Sequence, residues 1–149
     1  MWYTFTMNFE ELLQPGLRAE KSDTVTDRNM ADAWGSGGLP VFATPAMVAL
    51  MEMAAYSAVQ PFLPSGWSTV GTELNIKHLS ATPIQMKVSA QAELLSVYGR
   101  TLKFRVEAFD ETGKIGEGEH SRVIIENEKF LSRAERKKAV AQGTQGNSI

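Results

Sequence analysis

Residues 41–61 read VFATPAMVALMEMAAYSAVQP, from Val41 to Pro61, and this stretch decides the fold. Thr44 followed by Pro45 is a helix-start pair. A hydroxyl side chain at the N-cap takes a hydrogen bond from an orphan amide, and proline is pre-set for the first helical position. Pro61 ends the run, because it has no amide hydrogen and its ring clashes with the preceding turn. Ala, Met, Val, Leu and Tyr lie between these marks on every side, so a helix buried nearly all round is expected. Glu52 is the only charge in the stretch. A carboxylate is rarely buried without a partner or a task, which makes Glu52 a candidate functional residue.

Just before this helix lies Gly35-Ser36-Gly37-Gly38, which must be a loop. A glycine-rich loop leading into a helix is the setting of a phosphate cradle. No lysine follows at the required spacing, so the loop reads as flexible or lid-like instead. Further upstream, Asp27 to Trp34 reads as a short helical piece. Arg18 to Thr26 reads as a first strand, with Thr24, Val25 and Thr26 supplying β-branched residues. Residues 1–17 are an ambiguous lead-in, a short strand or a turn of helix, closed by Pro15-Gly16.

Downstream of Pro61 and the turn Pro64-Ser65-Gly66, the period changes. Trp67 to Ser80 is a long extended segment. From Ile84 to Leu94 the residues Ile84, Met86, Val88, Ala90, Ala92 and Leu94 alternate with polar ones, as in a strand with one face on a core. Tyr98-Gly99-Arg100 makes a turn, and the alternation resumes through Leu102, Phe104, Val106 and Ala108. Glu111-Thr112-Gly113 turns again into a last strand, Lys114 to Glu126. Short turns between adjacent strands imply an antiparallel meander. From about Leu131 the chain is charged and then rich in Gly, Gln and Asn, which reads as a frayed helix and a disordered tail.

The whole chain is 149 residues, one domain's worth, long enough to bury roughly 70% of its unfolded surface. Its net charge of −2 offers no electrostatic case for nucleic acid or an anionic membrane. Cysteine is absent, which excludes disulfides, thiolate metal sites and a cysteine nucleophile. The first residues lack a basic region followed by an apolar run, and no segment approaches a membrane span, so a cytoplasmic, soluble protein is expected. No cofactor or metal is called for by these residues.

A strand, a long apolar helix and four antiparallel strands make an α+β chain. A helix apolar on all sides cannot rest on one exposed sheet face. It needs a sheet of about five strands wrapped around it, the hot-dog arrangement, with a second subunit beyond. A homodimer or higher homo-oligomer is therefore expected.

Four segments carry a family likeness: VFATPAMVALMEMAAYSAVQPFLP, STVGTELNIKHLSATP, VSAQAELLSVYGRTLKFRVEAFDE and IGEGEHSRVII. Together they resemble the hot-dog-fold acyl-CoA thioesterases, in particular the fluoroacetyl-CoA thioesterase type, over roughly Leu13 to Phe130. The resemblance implies a thioesterase-like domain in residues 1–130, a polar C-terminal tail in 131–149, and a homodimer with its active sites at the subunit interface. It implies hydrolysis of a short- or medium-chain acyl-CoA to free acid and coenzyme A. It also implies roles for individual residues: a catalytic threonine at Thr44, a catalytic glutamate at Glu52 and a catalytic histidine at His78. Gly71 would be the glycine whose backbone meets the acyl group, and Arg122 the arginine of the last strand. The fluoroacetate-specific member carries phenylalanines in a lid before the threonine. This chain has Gly37-Gly38-Leu39-Pro40 there, so only modest selectivity for the fluorinated substrate is expected.

The residues can be weighed beside that likeness. Glu52 in apolar surroundings would gain basicity by desolvation, as a base or nucleophile requires, or it would be a structural carboxylate set against an arginine. His78 shares a strand face with Ile76 and Ser80, and an imidazole there can move protons. His120 is the only other histidine, and the resemblance leaves it as a strand residue. Thr44 lies eight residues before Glu52, about 12 Å along a helix axis, so the two cannot share a hydrogen bond within one straight helix. Either regular helix starts later than Pro45, or the two groups meet the substrate from different subunits. Gly71 suits an oxyanion donor or a β-bulge. Arg122 suits a CoA phosphate or an ion pair with an acidic neighbour. A hydratase of enoyl or hydroxyacyl thioesters is a rival, but its Asp-x-x-x-x-His spacing is missing around the helix. A non-catalytic acyl-CoA-binding dimer is another.

Overall fold

The structure, a computed structural model, describes residues 7–146, and side chains as far as residue 143. The parts of the lead-in and tail readings that fall on residues 1–6 and 147–149 lie outside the described residues. The chain runs α1 (Phe9–Leu12), β1 (Arg18–Thr24), α2 (Ala31–Trp34), α3 (Thr44–Val59), a 3-10 turn (Gln60–Phe62), β2 (Trp67–His78), β3 (Lys87–Tyr98), β4 (Thr101–Asp110), β5 (Gly113–Glu126) and α4 (Asn127–Gly146). The five strands form one antiparallel sheet in the order β1-β3-β4-β5-β2. The sheet curls around α3, so the fold is the α+β hot-dog arrangement.

The core is the alternation made solid. Val88, Ala90, Ala92 and Leu94 of β3 and Leu102, Phe104, Val106 and Ala108 of β4 are all buried. They meet Met47, Leu50, Met51, Ala54, Ala55 and Ala58 of α3. Alanine on both faces lets helix and sheet approach closely, while each fully buried Leu, Phe or Met contributes about 2 kcal/mol. Glycine makes room where β5 passes beneath α3: a Cβ on Gly116 would lie 2.5 Å from Met47 Sδ. One on Gly118 would meet the Asn75 carbonyl oxygen and Ile76.

Several boundaries differ from the sequence reading, each for a local reason. β1 stops at Thr24 because Asn29 offers the backbone another partner: its Oδ1 accepts from Thr26 N at 2.8 Å and its Nδ2 donates to Thr24 O at 2.9 Å. The helical piece expected from Asp27 is confined to Ala31–Trp34. β3 begins at Lys87 rather than Ile84, because Gln85 takes a left-handed φ of 76° that interrupts extension and leaves Ile84 exposed. The expected frayed helix and disordered tail is a continuous helix, α4, from Asn127 to Gly146. Its Lys, Arg, Glu and Ala content favours helix without help from packing, with Lys138 and Glu135 paired at 3.0 Å one turn apart.

The central helix is not buried all round in the single chain. Met53 is 52% exposed and Tyr56 41% exposed. With half-buried Val48 and Ala49 they form an apolar stripe on the side away from the sheet. Among the described residues no helix is long and apolar enough to cross a membrane.

Candidate active site

Two polar clusters lie on the inner side of the molecule, both built from α3 and the β2–β5 pair. The first sits at the start of α3. Thr44 Oγ1 is 2.7 Å from His78 Nδ1 at the end of β2. Thr44 does not cap its helix, contrary to expectation: it is the first helical residue, the N-cap is Ala43, and no side chain caps that end. Its hydroxyl is committed to the imidazole instead. Backbone bonds fix this corner, since Ala43 N donates to Asn29 O at 2.9 Å and Phe42 N to Thr82 O at 2.8 Å.

His78 Nε2 is shielded from solvent and has no hydrogen-bond partner among the described residues. Burial lowers the pKa of His78 below its ordinary 6.5, with the Ser80 backbone pulling the other way. Burial thus favours the neutral ring, and in the tautomer with its lone pair on Nδ1 that ring can take a proton from the Thr44 hydroxyl. Thr44, His78 and Phe42 line a cleft of about 380 Å³, whose far wall is the loop from Ser36 to Leu39.

The second cluster sits midway along α3. Arg122 is only 6% exposed, yet its donors are all directed. Nε donates to Thr69 Oγ1 at 2.8 Å and Nη2 to Thr69 O at 2.9 Å. Nη1 points to His120 Nε2 at 3.1 Å and to Glu52 Oε2 at 3.5 Å. Burial lowers the Arg122 pKa, opposed by the charge and hydrogen bond of Glu52 and by Tyr56, whose ring centroid is 6.0 Å from the guanidinium carbon. Of the two readings for Arg122, the ion pair with an acidic neighbour is the one this geometry makes.

Of the two settings weighed for Glu52, apolar surroundings or an arginine neighbour, the structure has the second. Its side chain is 39% exposed and faces a cation, so it is not desolvated among apolar groups. Gly71 explains how the carboxylate fits: a Cβ there would lie 2.7 Å from Glu52 Oε2, 3.1 Å from His120 Cε1 and 3.5 Å from Arg122 Nη1. Gly71 also opens the β-bulge between Gly71 and Glu73. The bulge suggested by the sequence is therefore present at Gly71, and the space beside its Cα is occupied by the Glu52 carboxylate.

The bulge has a larger effect. Gly71 stands opposite Arg122 and His78 opposite Gly116, and residues 116, 118, 120, 122 and 124 of β5 share the inner face. Gly71 and His78 are seven positions apart, an odd step, so an unbroken strand would put them on opposite faces. The extra residue at Thr72 restores them to one face.

The two clusters remain apart within one chain. Regular helix begins at Thr44 itself, which removes the option of a later start. The separation along α3 is then about 12 Å, and along β2 about 20 Å. Sequence reading missed Thr69, which is 5% exposed and anchors Arg122. It also left His120 without a role, although the alternation of His120, Arg122 and Ile124 put two polar side chains on a core face, which was a readable signal. A separate hollow of about 270 Å³ lies over the outer sheet face, but its Arg18 and Arg105 both reach Glu93. Among the described residues no group of three or more His, Asp or Glu is placed to hold a metal ion.

Residues 25–128 match the family described as fluoroacetyl-CoA-specific thioesterase. The chain is 44% identical over 97 residues to the fluoroacetyl-CoA thioesterase of Streptantibioticus cattleyicolor, covering 65% of this chain and 70% of that one. A solved structure of a fluoroacetyl-CoA thioesterase superposes with a TM-score of 0.78 at 36% identity, covering 84% of this chain and 97% of the other. A hypothetical protein of Thermus thermophilus, a thioesterase superfamily member, superposes with a TM-score of 0.81 at 30% identity, covering 87% and 96%.

Proposed function

The chain belongs to the fluoroacetyl-CoA-specific thioesterase family, and from that premise we propose that it hydrolyses short- or medium-chain acyl-CoA thioesters to the free acid and coenzyme A. The observation that carries the reading is the Thr44–His78 contact of 2.7 Å in a cleft walled by a glycine-rich loop. A hydroxyl bonded to a neutral imidazole, with the second ring nitrogen buried and unpartnered, is proton-transfer machinery rather than a structural pair.

The working unit is a homodimer. The α3 stripe of Val48, Ala49, Met53 and Tyr56 and the free edge of β2, with Leu74 42% exposed, form the face that a second copy covers. Such a pairing lets Glu52 of one protomer and the Thr44–His78 pair of the other meet one thioester, which the separation of about 12 Å forbids within a chain. In this scheme Glu52 acts as base or nucleophile on the carbonyl. With Glu52 as base, water adds to the carbonyl and gives Glu52 its proton; with Glu52 as nucleophile, its carboxylate displaces the CoA thiolate and water then opens the anhydride, giving its proton to His78. By either route the C–S bond breaks and the proton lost by water ends on the CoA thiolate, so water and thioester give acid and thiol in balance. Gly71 supplies the side-chain-free approach for the acyl group, and Arg122 holds the carboxylate. The catalytic domain is assigned residues 1–130. Residues 131–149, which include the outer part of α4, form a polar extension.

Free thiol released from a panel of acyl-CoAs tests this. Turnover of at least one short or medium acyl-CoA is expected, and Glu52→Gln should lower kcat by about 10² to 10⁴-fold with the fold intact. Binding of acyl-CoA with no thiol release from any member would overturn the enzymatic reading. A native rate in E52Q would make Glu52 structural.

A further inference from the structure

His120 is a buried titratable side chain that the chemistry above does not use, and it is fully shielded from solvent. Its two ring nitrogens meet partners of fixed character. Nδ1 is 2.8 Å from the Glu73 carbonyl oxygen, which can only accept. Nε2 is 3.1 Å from Arg122 Nη1, which can only donate. These two contacts assign the proton to Nδ1 and leave the lone pair on Nε2. The ring is therefore neutral and in one tautomer.

Arg122 is pinned along its other edge, where Nε and Nη2 donate to Thr69 Oγ1 and Thr69 O. Because the guanidinium is planar, Nη1 moves only with the whole group, and it presents its two N–H bonds between His120 Nε2 at 3.1 Å and Glu52 Oε2 at 3.5 Å. We propose that His120 is a positioning residue that acts through Arg122: its Nε2 lone pair holds the guanidinium against tilting about its Thr69 bonds, which keeps Nη1 on the Glu52 carboxylate and that carboxylate where it works on the thioester. The inference rests on the reading of Glu52 as base or nucleophile.

The surroundings of His120 agree. Arg122 faces it from its own strand and Glu52 from α3, with Tyr56 of α3 beyond the guanidinium. The Glu73 backbone faces it from β2, and Phe104 of β4 lies with its ring centroid 6.3 Å away. Burial is the largest influence and lowers the pKa below its ordinary 6.5. The Glu73 carbonyl raises it, Arg122 lowers it, and Glu52 raises it. A proton on Nε2 would turn an acceptor into a donor pointed at a cation, releasing Nη1. Activity through this device is thus flat above about pH 6.5 and falls as pH drops through a lower value.

The test uses the full-length protein and its two histidines, which make imidazole ¹⁵N spectra simple to assign. At about pH 7, His120 should be neutral with its proton on Nδ1; a charged ring or an Nε2 proton overturns the inference. His120→Phe removes the acceptor and should lower kcat by about 10²-fold while KM changes by less than about three-fold. His120→Gln restores an uncharged acceptor near the Nε2 position and should recover at least about ten-fold of that loss, with an acid limb one proton less steep. Native kcat in H120F, no recovery in H120Q, or an unchanged acid limb in H120Q each overturns it. If H120F fails to fold, the tautomer and the H120Q profile decide. E52Q measured alongside separates the two failures. An active E52Q removes the reading of Glu52 and this inference with it, whereas an inactive E52Q beside a native H120F sinks the role of His120 alone.

Discussion

Gly71 is the residue on which the polar cluster depends, although it contributes no side chain. Its φ is not left-handed, so an alanine there meets no backbone strain. The added Cβ would instead sit 2.7 Å from Glu52 Oε2, the far end of a flexible side chain that can swing aside. The same Cβ would lie 3.1 Å from Cε1 of the buried His120 ring, which must give by a few tenths of an ångström, so Gly71→Ala should cost no more than about 2 kcal/mol of stability. It should nonetheless lower kcat by about 10²-fold, because the displaced carboxylate leaves its working position. Thermal unfolding together with acyl-CoA turnover checks this. Loss of stability in step with activity would mean the glycine serves packing alone. At this scale the sequence was a good guide to identity and a poor one to environment. Glu52 was conspicuous as the lone charge of an apolar helix, but nothing in the sequence set Arg122 beside it. That pairing needs two residues 70 positions apart to be brought face to face.

At the scale of elements, the loop before α3 and the bulge in β2 matter most. Ala31 N donates to Val41 O at 2.8 Å, so the loop between them is tied at its base while its tip carries only Ser36, Gly37, Gly38 and Leu39 into the cleft. Leu39 is 67% exposed, and Trp34 is turned away to donate from Nε1 to Arg28 O at 2.6 Å. A wall of small residues excludes water poorly and contributes little to telling fluorine from hydrogen. Hydrolysis of several short acyl-CoAs is expected, with the fluoroacetyl to acetyl ratio of kcat/KM within about ten-fold of the ratio of the uncatalysed rates. Matched kinetics on the two substrates check it. A much larger preference would mean that an aromatic such as Phe42, already lining the cleft, closes on the acyl group. The periodic strands were legible because burial on one face forces alternation. The bulge was half legible, since glycine in a strand suggests one, but its parity shift appears only when the cross-strand register is known.

For the whole molecule, the open α3 stripe and the long free edge of β2 set the expectation. A shared site makes activity depend on association, so sedimentation should show a dimer at micromolar concentration and specific activity should fall on dilution below the dimer's Kd. A stable, fully active monomer would refute the shared site. What the sequence by itself determined is the class of fold and the identity of the chemical groups. The apolar helix between Thr44 and Pro61 and the alternating strands after it admit few packings other than a sheet curled on a helix, because hydrophobic burial is patterned locally along the chain. Glu52 stood out as the one charge in an apolar helix, where a polar group is costly unless used, whereas Thr44 and His78 were singled out by the family resemblance. Only the tertiary structure decided that Thr44 bonds His78 rather than capping its helix, that Thr69 anchors Arg122 beside Glu52, and that one extra residue in β2 turns Gly71 and His78 to the same side. Those facts depend on distance and direction between segments remote in sequence. Hydrogen bonds and ion pairs are fixed by such geometry and leave no local trace in the order of residues.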